Sequence, residues 1–294
     1  MKKTIMCLAL LYCCVVSLYA QNEAVKNIDW KLGEVRTYQM IQTKIRGEEN
    51  KQEEFKLELK VLAVNQEDYQ LQATFSMVYS LEILAKSDDF GKKLMALTKD
   101  YVVFYKINKQ GTIISDFDAE KTFQQIQEGL AAMAAKTTDE GQGFAVAILR
   151  DGITKKNMLP SFVEVLKQYH SVYGLNYSKK QGKTKQDSIL VYYKAAKTIT
   201  LPATTTIDIT PENNQFTNIT HKTVLVDFAI TKQLLEKEWG DMIKYFPPPT
   251  IKKAEILTTS SIDLQTMFIH SLNSQKEEHV DKKQTILKTV LKIQ

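Results

Sequence analysis

The sequence predicts an α+β fold, mainly antiparallel sheet made of hairpins and meanders, with amphipathic helices packed on one face. Three observations predict it. Period-two alternation dominates the chain, polar links of hairpin length join neighbouring alternating runs, and helical periodicity comes in separate blocks after groups of strands. Strict alternation of single strands with single helices, the mark of a parallel α/β sheet, is not the pattern here. A sheet of this kind can also curve into a half-barrel, and that variant belongs to the expectation.

The elements follow in chain order. Met1-Lys2-Lys3 supplies a positive start, residues 5–18 are almost wholly apolar, and Gln21-Asn22-Glu23 returns to polar sequence. The apolar run is too short for a comfortable bilayer span, so 1–20 reads as a secretory signal peptide cleaved after Ala20. All three cysteines, Cys7, Cys13 and Cys14, fall inside it. The expected exported body, 21–294, is therefore cysteine-free, which removes disulfides and thiolate chemistry. An uncleaved anchor is the alternative. A lipidated cysteine fits less well, because Tyr12 precedes Cys13 and Cys13 precedes Cys14.

Residues 34–45 form a weakly patterned first strand, followed by a charged loop over 47–54. Phe55, Leu57, Leu59, Val61 and Ala63 alternate with polar residues, as do Tyr69, Leu71, Ala73, Phe75 and Met77, and Asn65-Gln66-Glu67-Asp68 joins the two runs as a hairpin. A loose helix candidate over 81–97 is interrupted by Ser87-Asp88-Asp89 and Gly91. Residues 101–107 and 112–115 read as a hairpin around Asn108-Lys109-Gln110-Gly111, with Gly111 supplying a positive φ. Phe123, Ile126, Leu130, Met133 and Ala134 trace one face of a helix with Asp118 as its N-cap.

Residues 136–157 hold a loop-like segment and an apolar stretch, 144–149, without a decisive period. If the body has two subdomains, the seam lies there. Phe162, Val165, Leu166, Tyr169, Val172 and Tyr173 trace another helix, begun near Pro160 and stopped by Gly174. Strands over 188–194 and 204–209 follow, then one carried by Val224, Val226, Phe228 and Ile230. Leu234, Leu235, Trp239, Met242, Ile243 and Phe246 trace a helix ended by Pro247-Pro248-Pro249. Residues 254–264, 267–272 and 285–293 are further strands, the last two separated by the polar stretch 273–284.

Charge and size exclude several classes. The formal net charge is +5, and removing Lys2 and Lys3 brings the body nearer to balance. A chain of this length buries about three quarters of the surface its unfolded form exposes, so its core needs no staples. Among 39 basic residues only Arg36, Arg46 and Arg150 are arginine. Arginine is the preferred reader of phosphates and base edges, so nucleic acid is not an expected partner. No transmembrane span is expected after signal cleavage.

The search for chemistry returns no catalytic set, no metal site and no cofactor. His170, His221, His270 and His279 lack the spacing that puts two imidazoles on one helix turn. His170, beside Tyr169 and near Glu164 and Lys167, reads as a helix-surface histidine, and His270 as a structural residue in a strand. Asp116 and Asp118 flank Phe117 where paired acids could work, but capping the next helix explains them. Asp227 opposes Val226 and Phe228 in its strand and reads as solvent-facing. Lys179-Lys180-Gln181-Gly182-Lys183-Thr184-Lys185 is a basic hairpin tip whose functional reading is diffuse attraction to anionic lipid or polysaccharide. No glycine-rich phosphate loop, nucleophile elbow or dinucleotide fingerprint occurs.

The signal ending Ala20-Gln21, the run Tyr101-Val102-Val103-Phe104-Tyr105-Lys106-Ile107-Asn108-Lys109-Gln110-Gly111-Thr112-Ile113-Ile114, and Tyr169-His170-Ser171-Val172-Tyr173-Gly174 resemble uncharacterised exported proteins of the Bacteroidota. That resemblance implies export and carries no function. Asp187-Ser188-Ile189 is similar to the short O-glycosylation signal of those bacteria, and Asn176-Tyr177-Ser178 and Asn218-Ile219-Thr220 match the N-glycosylation sequon. The exported lipoprotein carriers of the bacterial envelope resemble the expected architecture without sharing a motif.

The function expected from all this is non-enzymatic: a periplasmic or surface-associated envelope protein that binds an apolar or amphipathic ligand such as a lipid, or a protein partner. The rival from another class is a hydrolase of envelope polymers using Asp116, Asp118 or His170. A structural component of an envelope complex is the third reading.

Overall fold

A computed structural model describes residues 26–79, 86–177, 181–194, 197–226, 232–234, 236 and 250–294. Ten strands among them form one antiparallel sheet: β1 (Val35–Arg46), β2 (Glu49–Val64), β3 (Asp68–Met77), β4 (Asp100–Asn108), β5 (Gln181–Lys194), β6 (Lys197–Pro211), β7 (Phe216–Leu225), β8 (Ile251–Asp263), β9 (Phe268–Val280) and β10 (Lys283–Ile293). Their order is β4-β3-β2-β1-β10-β9-β8-β7-β6-β5. The chain therefore meanders outward from the centre to β4, returns at β5 on the far edge, and meanders back until its last strand pairs with its first.

Alternation set the register where it was cleanest. Leu57, Leu59 and Val61 of β2 and Leu71, Ala73 and Phe75 of β3 are buried on one face, and Leu57 sits opposite Phe75. The charged loop expected over 47–54 is instead strand. Arg46 pairs with Glu49 across a two-residue turn in which Gly47 adopts φ +61°, the conformation such a turn requires. Ladder hydrogen bonds do not need burial, so the hairpin continues past the core with Gln39 donating to Glu54 at 2.8 Å. The polar stretch 273–284 is likewise strand: β9 runs to Val280 and turns through Asp281, at φ +56°, into β10. Residues 112–115 do not form a strand, and only an isolated bridge from Ile107 to Ile113 remains of that hairpin. Gly111 has the expected positive φ, +85°.

Four helices have described bounds: α1 (Asp89–Leu97), α2 (Glu120–Lys136), α3 (Glu140–Gly152) and α4 (Lys155–His170). Residues 80–85 of the loose candidate, and nearly all of the helix expected from Leu234 to Phe246, lie outside the described residues. In α2, Phe123, Ile126 and Leu130 are buried as their spacing required. Its N-cap position is Ala119, while the Asp118 carboxylate accepts from the Glu120 amide at 3.0 Å. The undecided apolar stretch after Lys136 is α3, capped by Asp139, with Val146 buried in the main core. α4 begins at a Thr154 cap, six residues before Pro160, which lies inside the helix and not near its start. The cap outweighs the proline, whose missing N–H forfeits one helical bond.

Edge β4 is closed by the segment after it. Phe104 and Asp118 exchange backbone bonds, Thr122 donates to the Val102 carbonyl, and the Lys106 amide donates to Ser115. Such cover blocks edge-to-edge association. At the opposite edge, β5 comes within 8 Å of β8, three strands away, measured between Cα atoms. Three spacings in a flat sheet would be about 14 Å, so this end of the sheet is strongly rolled.

Candidate functional site

The buried face of the sheet has two unlike parts. Across β1 to β4 it carries Tyr38, Met40, Phe55, Leu57, Phe75 and Tyr105, all apolar or aromatic. Helix α4 packs into this part: the Phe162 ring lies 4.7 Å from Phe75 and 4.9 Å from Tyr101, and the Tyr38 and Tyr169 hydroxyls are 2.9 Å apart. Trp30 stacks on Phe268 at 4.7 Å, with the Arg36 guanidinium 4.1 Å from that ring.

His170 belongs to this aromatic core. The expectation of a surface histidine is wrong, because the residue is 4% exposed and both ring nitrogens are bonded. Nδ1 donates to the Gly111 carbonyl at 2.9 Å, which leaves Nε2 to accept from the Tyr105 hydroxyl at 2.9 Å. Burial pushes its pKa down to about 3, against a smaller upward pull from the Gly111 carbonyl. A neutral ring with both nitrogens committed is a structural tie between α4, β4 and the Gly111 turn. A Cβ on Gly111 would also lie 2.6 Å from Tyr173. Asp116 and Asp118 are exposed, and Asp118, expected as the N-cap, stands one residue before the Ala119 cap and accepts from the Glu120 amide. His270 is exposed in β9 with its ring 5.5 Å from Phe216. Asp227, Lys179 and Lys180 lie outside the described residues.

From β5 to β10 the same face changes character. Facing inward in register are Thr205 on β6, Thr217 and His221 on β7, Thr258 and Ser260 on β8, Ser274, Lys276 and Glu278 on β9, and Thr289 on β10, all buried. His221, Thr258, Ser274, Thr289, Thr205, Lys276 and Glu278 form a polar belt between two apolar groups, while Thr217 and Ser260 stand at its main-core side, opposite Ile262, Ile219 and Leu272. On one side is the main core, which reaches Ile207, Ile219, Ile262 and Leu272; on the other is a second cluster of Ile189, Val191, Leu201, Ala203, Leu225, Ile251 and Ala254.

Much of the belt is paired. Lys276, 3% exposed, holds Glu164 of α4 at 3.2 Å and Glu278 at 3.1 Å. Thr258 and Ser274 share a bond of 3.0 Å, and Thr205 bridges Asp187 at 2.8 Å and Thr223 at 2.6 Å. Three atoms are not paired: Thr217 Oγ1, Ser260 Oγ and His221 Nε2 are buried without a hydrogen-bond partner among the described residues. Burial pushes the His221 pKa down to about 4, with Lys185 lowering and Asp187 raising it from β5. None of these residues was singled out as a site by the sequence. Ser274, Lys276 and Glu278 read as loop, and His221 lay in a stretch not assigned as strand.

No group of three or more histidine, cysteine, aspartate or glutamate side chains able to hold a metal occurs among the described residues. No helix among them is long and apolar enough to cross a membrane. No family model matches the chain, and no curated protein matches it. Among solved structures, one of lipovitellin concerned with its lipid–protein interactions aligns with 90% of this chain and 25% of its own, at a TM-score of 0.44 and 10% identity. The chain thus spans about a quarter of the lipovitellin chain, and a likeness of that grade leaves the function to be argued from this chain's own residues.

Proposed function

We propose that the chain is an exported, non-enzymatic protein of the cell envelope, periplasmic in the simplest case, that binds an apolar or amphipathic ligand on the inner face of its rolled sheet. On this reading the sheet is a half-barrel with its helices over one face, and the β5 to β9 end is where the ligand lies. The observation that carries it is the second apolar cluster, separated from the main core by a buried belt of hydroxyls, a neutral imidazole and a carboxylate-bound lysine. A packed core gains nothing from such a belt, since each buried polar group costs free energy unless paired. A binding face does gain, because apolar walls with a few placed polar groups are what hold and orient an amphiphile. The full commitment of His170, and the exposure of Asp118 with its bond to the Glu120 amide, weigh against the hydrolase reading.

Native mass spectrometry of the full chain purified from its own host tests the proposal. A co-purifying mass in the lipid range, or uptake of one from a lipid extract, is expected. Bare protein in both cases would refute it.

A further inference from the structure

The three unpartnered atoms are neighbours in register. Thr217 pairs with Ile262 and His221 with Thr258, so Ser260, opposite Ile219, is the diagonal neighbour of both. Diagonal positions on paired strands are about 7–8 Å apart, and the rolling of this end of the sheet turns inward side chains toward one another. Thr217, Ser260 and His221 are each no more than 6% exposed. The other unpartnered atoms of this kind, on Trp30, Arg36 and Gln168, sit on the β1 side and on α4. Burying one polar group unpaired costs about 1–3 kcal/mol, and three on adjacent strands imply a molecule that supplies the missing bonds.

The chemistry of that molecule can be read from the groups that face it. Two hydroxyls and a neutral imidazole both donate and accept, but none carries charge. Two of the three lysines in register with this face are engaged, Lys185 with Asp187 at 3.5 Å and Lys276 with Glu164 and Glu278, and the third, Lys183 opposite Ile207, is exposed at the β5 edge. An anionic head would lose its hydration and meet the carboxylates that already hold Lys185 and Lys276, whereas a hydroxyl would find partners for its lone pairs and its proton, and an ester for its lone pairs. We infer that Thr217, Ser260 and His221 form the subsite for the uncharged, hydroxyl- or ester-bearing head of an amphiphile, a monoacylglycerol being the simplest member of the class. The apolar tail then lies along Ile189, Leu201 and Leu225. This inference rests on the reading of the inner face as a ligand face.

Its test compares three probes on the full chain: monoolein, oleate, and pyrene as an apolar probe without a head. Wild type should bind monoolein at least tenfold more tightly than oleate. Thr217→Val combined with Ser260→Ala should lose about tenfold in monoolein affinity and keep pyrene binding unchanged. Removing unpaired hydroxyls should leave the melting temperature of the unliganded protein equal or higher, which separates lost binding from lost folding. Should the pair of changes fail to fold, Thr217→Val alone and the wild-type monoolein-to-oleate ratio still decide. Equal affinity for monoolein and oleate, or a variant that binds monoolein as wild type does, would mean that water alone fills the subsite. That result overturns the head assignment and leaves the ligand face standing. Binding of none of the three probes overturns both.

Discussion

The two ends of this sheet bury comparable faces with opposite chemistry. From β1 to β4 the inward side chains are aromatic and aliphatic, and α4 fills the space above them ring against ring. Polar groups there include matched pairs, Tyr105 with His170 and Tyr38 with Tyr169, beside buried atoms without a partner on Trp30, Arg36 and Gln168. From β5 to β10 the inward positions set threonines, serines, a histidine, a lysine and a glutamate among aliphatic residues such as Ile207, Ile219 and Leu225. Some of the polar groups are paired, and three atoms are not. One end is filled ring against ring by α4; at the other, unpartnered hydroxyls and an imidazole stand as register neighbours on β7 and β8. On the proposed reading the first serves stability and the second binding.

Substitutions can break or sharpen that contrast. The largest effect belongs to Lys276→Met, which strands carboxylates that the ammonium now holds and should cost about 3–5 kcal/mol in urea unfolding. Leu57→Ala at the aromatic end should cost a similar amount, about 2–5 kcal/mol, through a cavity. The two should diverge in lipid binding, which Lys276→Met lowers and Leu57→Ala leaves alone once the lower stability is allowed for. A loss below about 1 kcal/mol for Lys276→Met would show that water reaches the belt, and the contrast would weaken.

Tyr105→Phe comes next. It leaves His170 Nε2 buried without its donor, so a loss of about 1–3 kcal/mol is expected. The matching deletion at the other end, Thr217→Val, should cost nothing measurable, because that hydroxyl has no partner to lose. Equal losses at the two sites would erase the distinction between a used and an unused polar group.

Acid gives a smaller, graded effect. The folded pKa values of His170 and His221, about 3 and about 4, lie below the ordinary histidine value of 6.5, so the unfolded chain binds protons first as pH falls. Stability from keeping each ring neutral is complete above pH 6.5 and is lost as pH drops toward the folded value. His221→Gln should remove about 1.4 kcal/mol per pH unit of that decline between roughly pH 6 and 4.5, measured by urea unfolding at each pH. An unchanged slope would mean that His221 is already solvated.

The aromatic end was the more legible in the sequence, for a physical reason. Phe55 to Ala63 and Tyr69 to Met77 alternate apolar with polar because one face is buried against apolar partners and the other meets water. At 273–280 the inward residues Ser274, Lys276 and Glu278 are as polar as the outward Asn273, Gln275 and Glu277, so the alternation is real in space and invisible in composition. The outward set is itself tied together. Lys253 and then His279 bond Glu277 and hold its carboxyl down at about 2, which gives a polar strand the cross-strand pairing that burial gives elsewhere. Partner distance hid the rest. Tyr105 and His170 stand 65 positions apart, and Lys276 and Glu164 stand 112 apart, so no local pattern could announce either contact. Helix α3 was obscured by Gly141 and Gly143 in its first turn, where the Asp139 cap compensates for their low helix propensity.

Hydrogen–deuterium exchange of the full chain with and without a bound neutral amphiphile tests the division of labour most directly. The account predicts added protection in β6 to β9 and no change in β1 to β4, whose inner face α4 already fills. Protection confined to β1 to β4, or spread evenly over all ten strands, would contradict it.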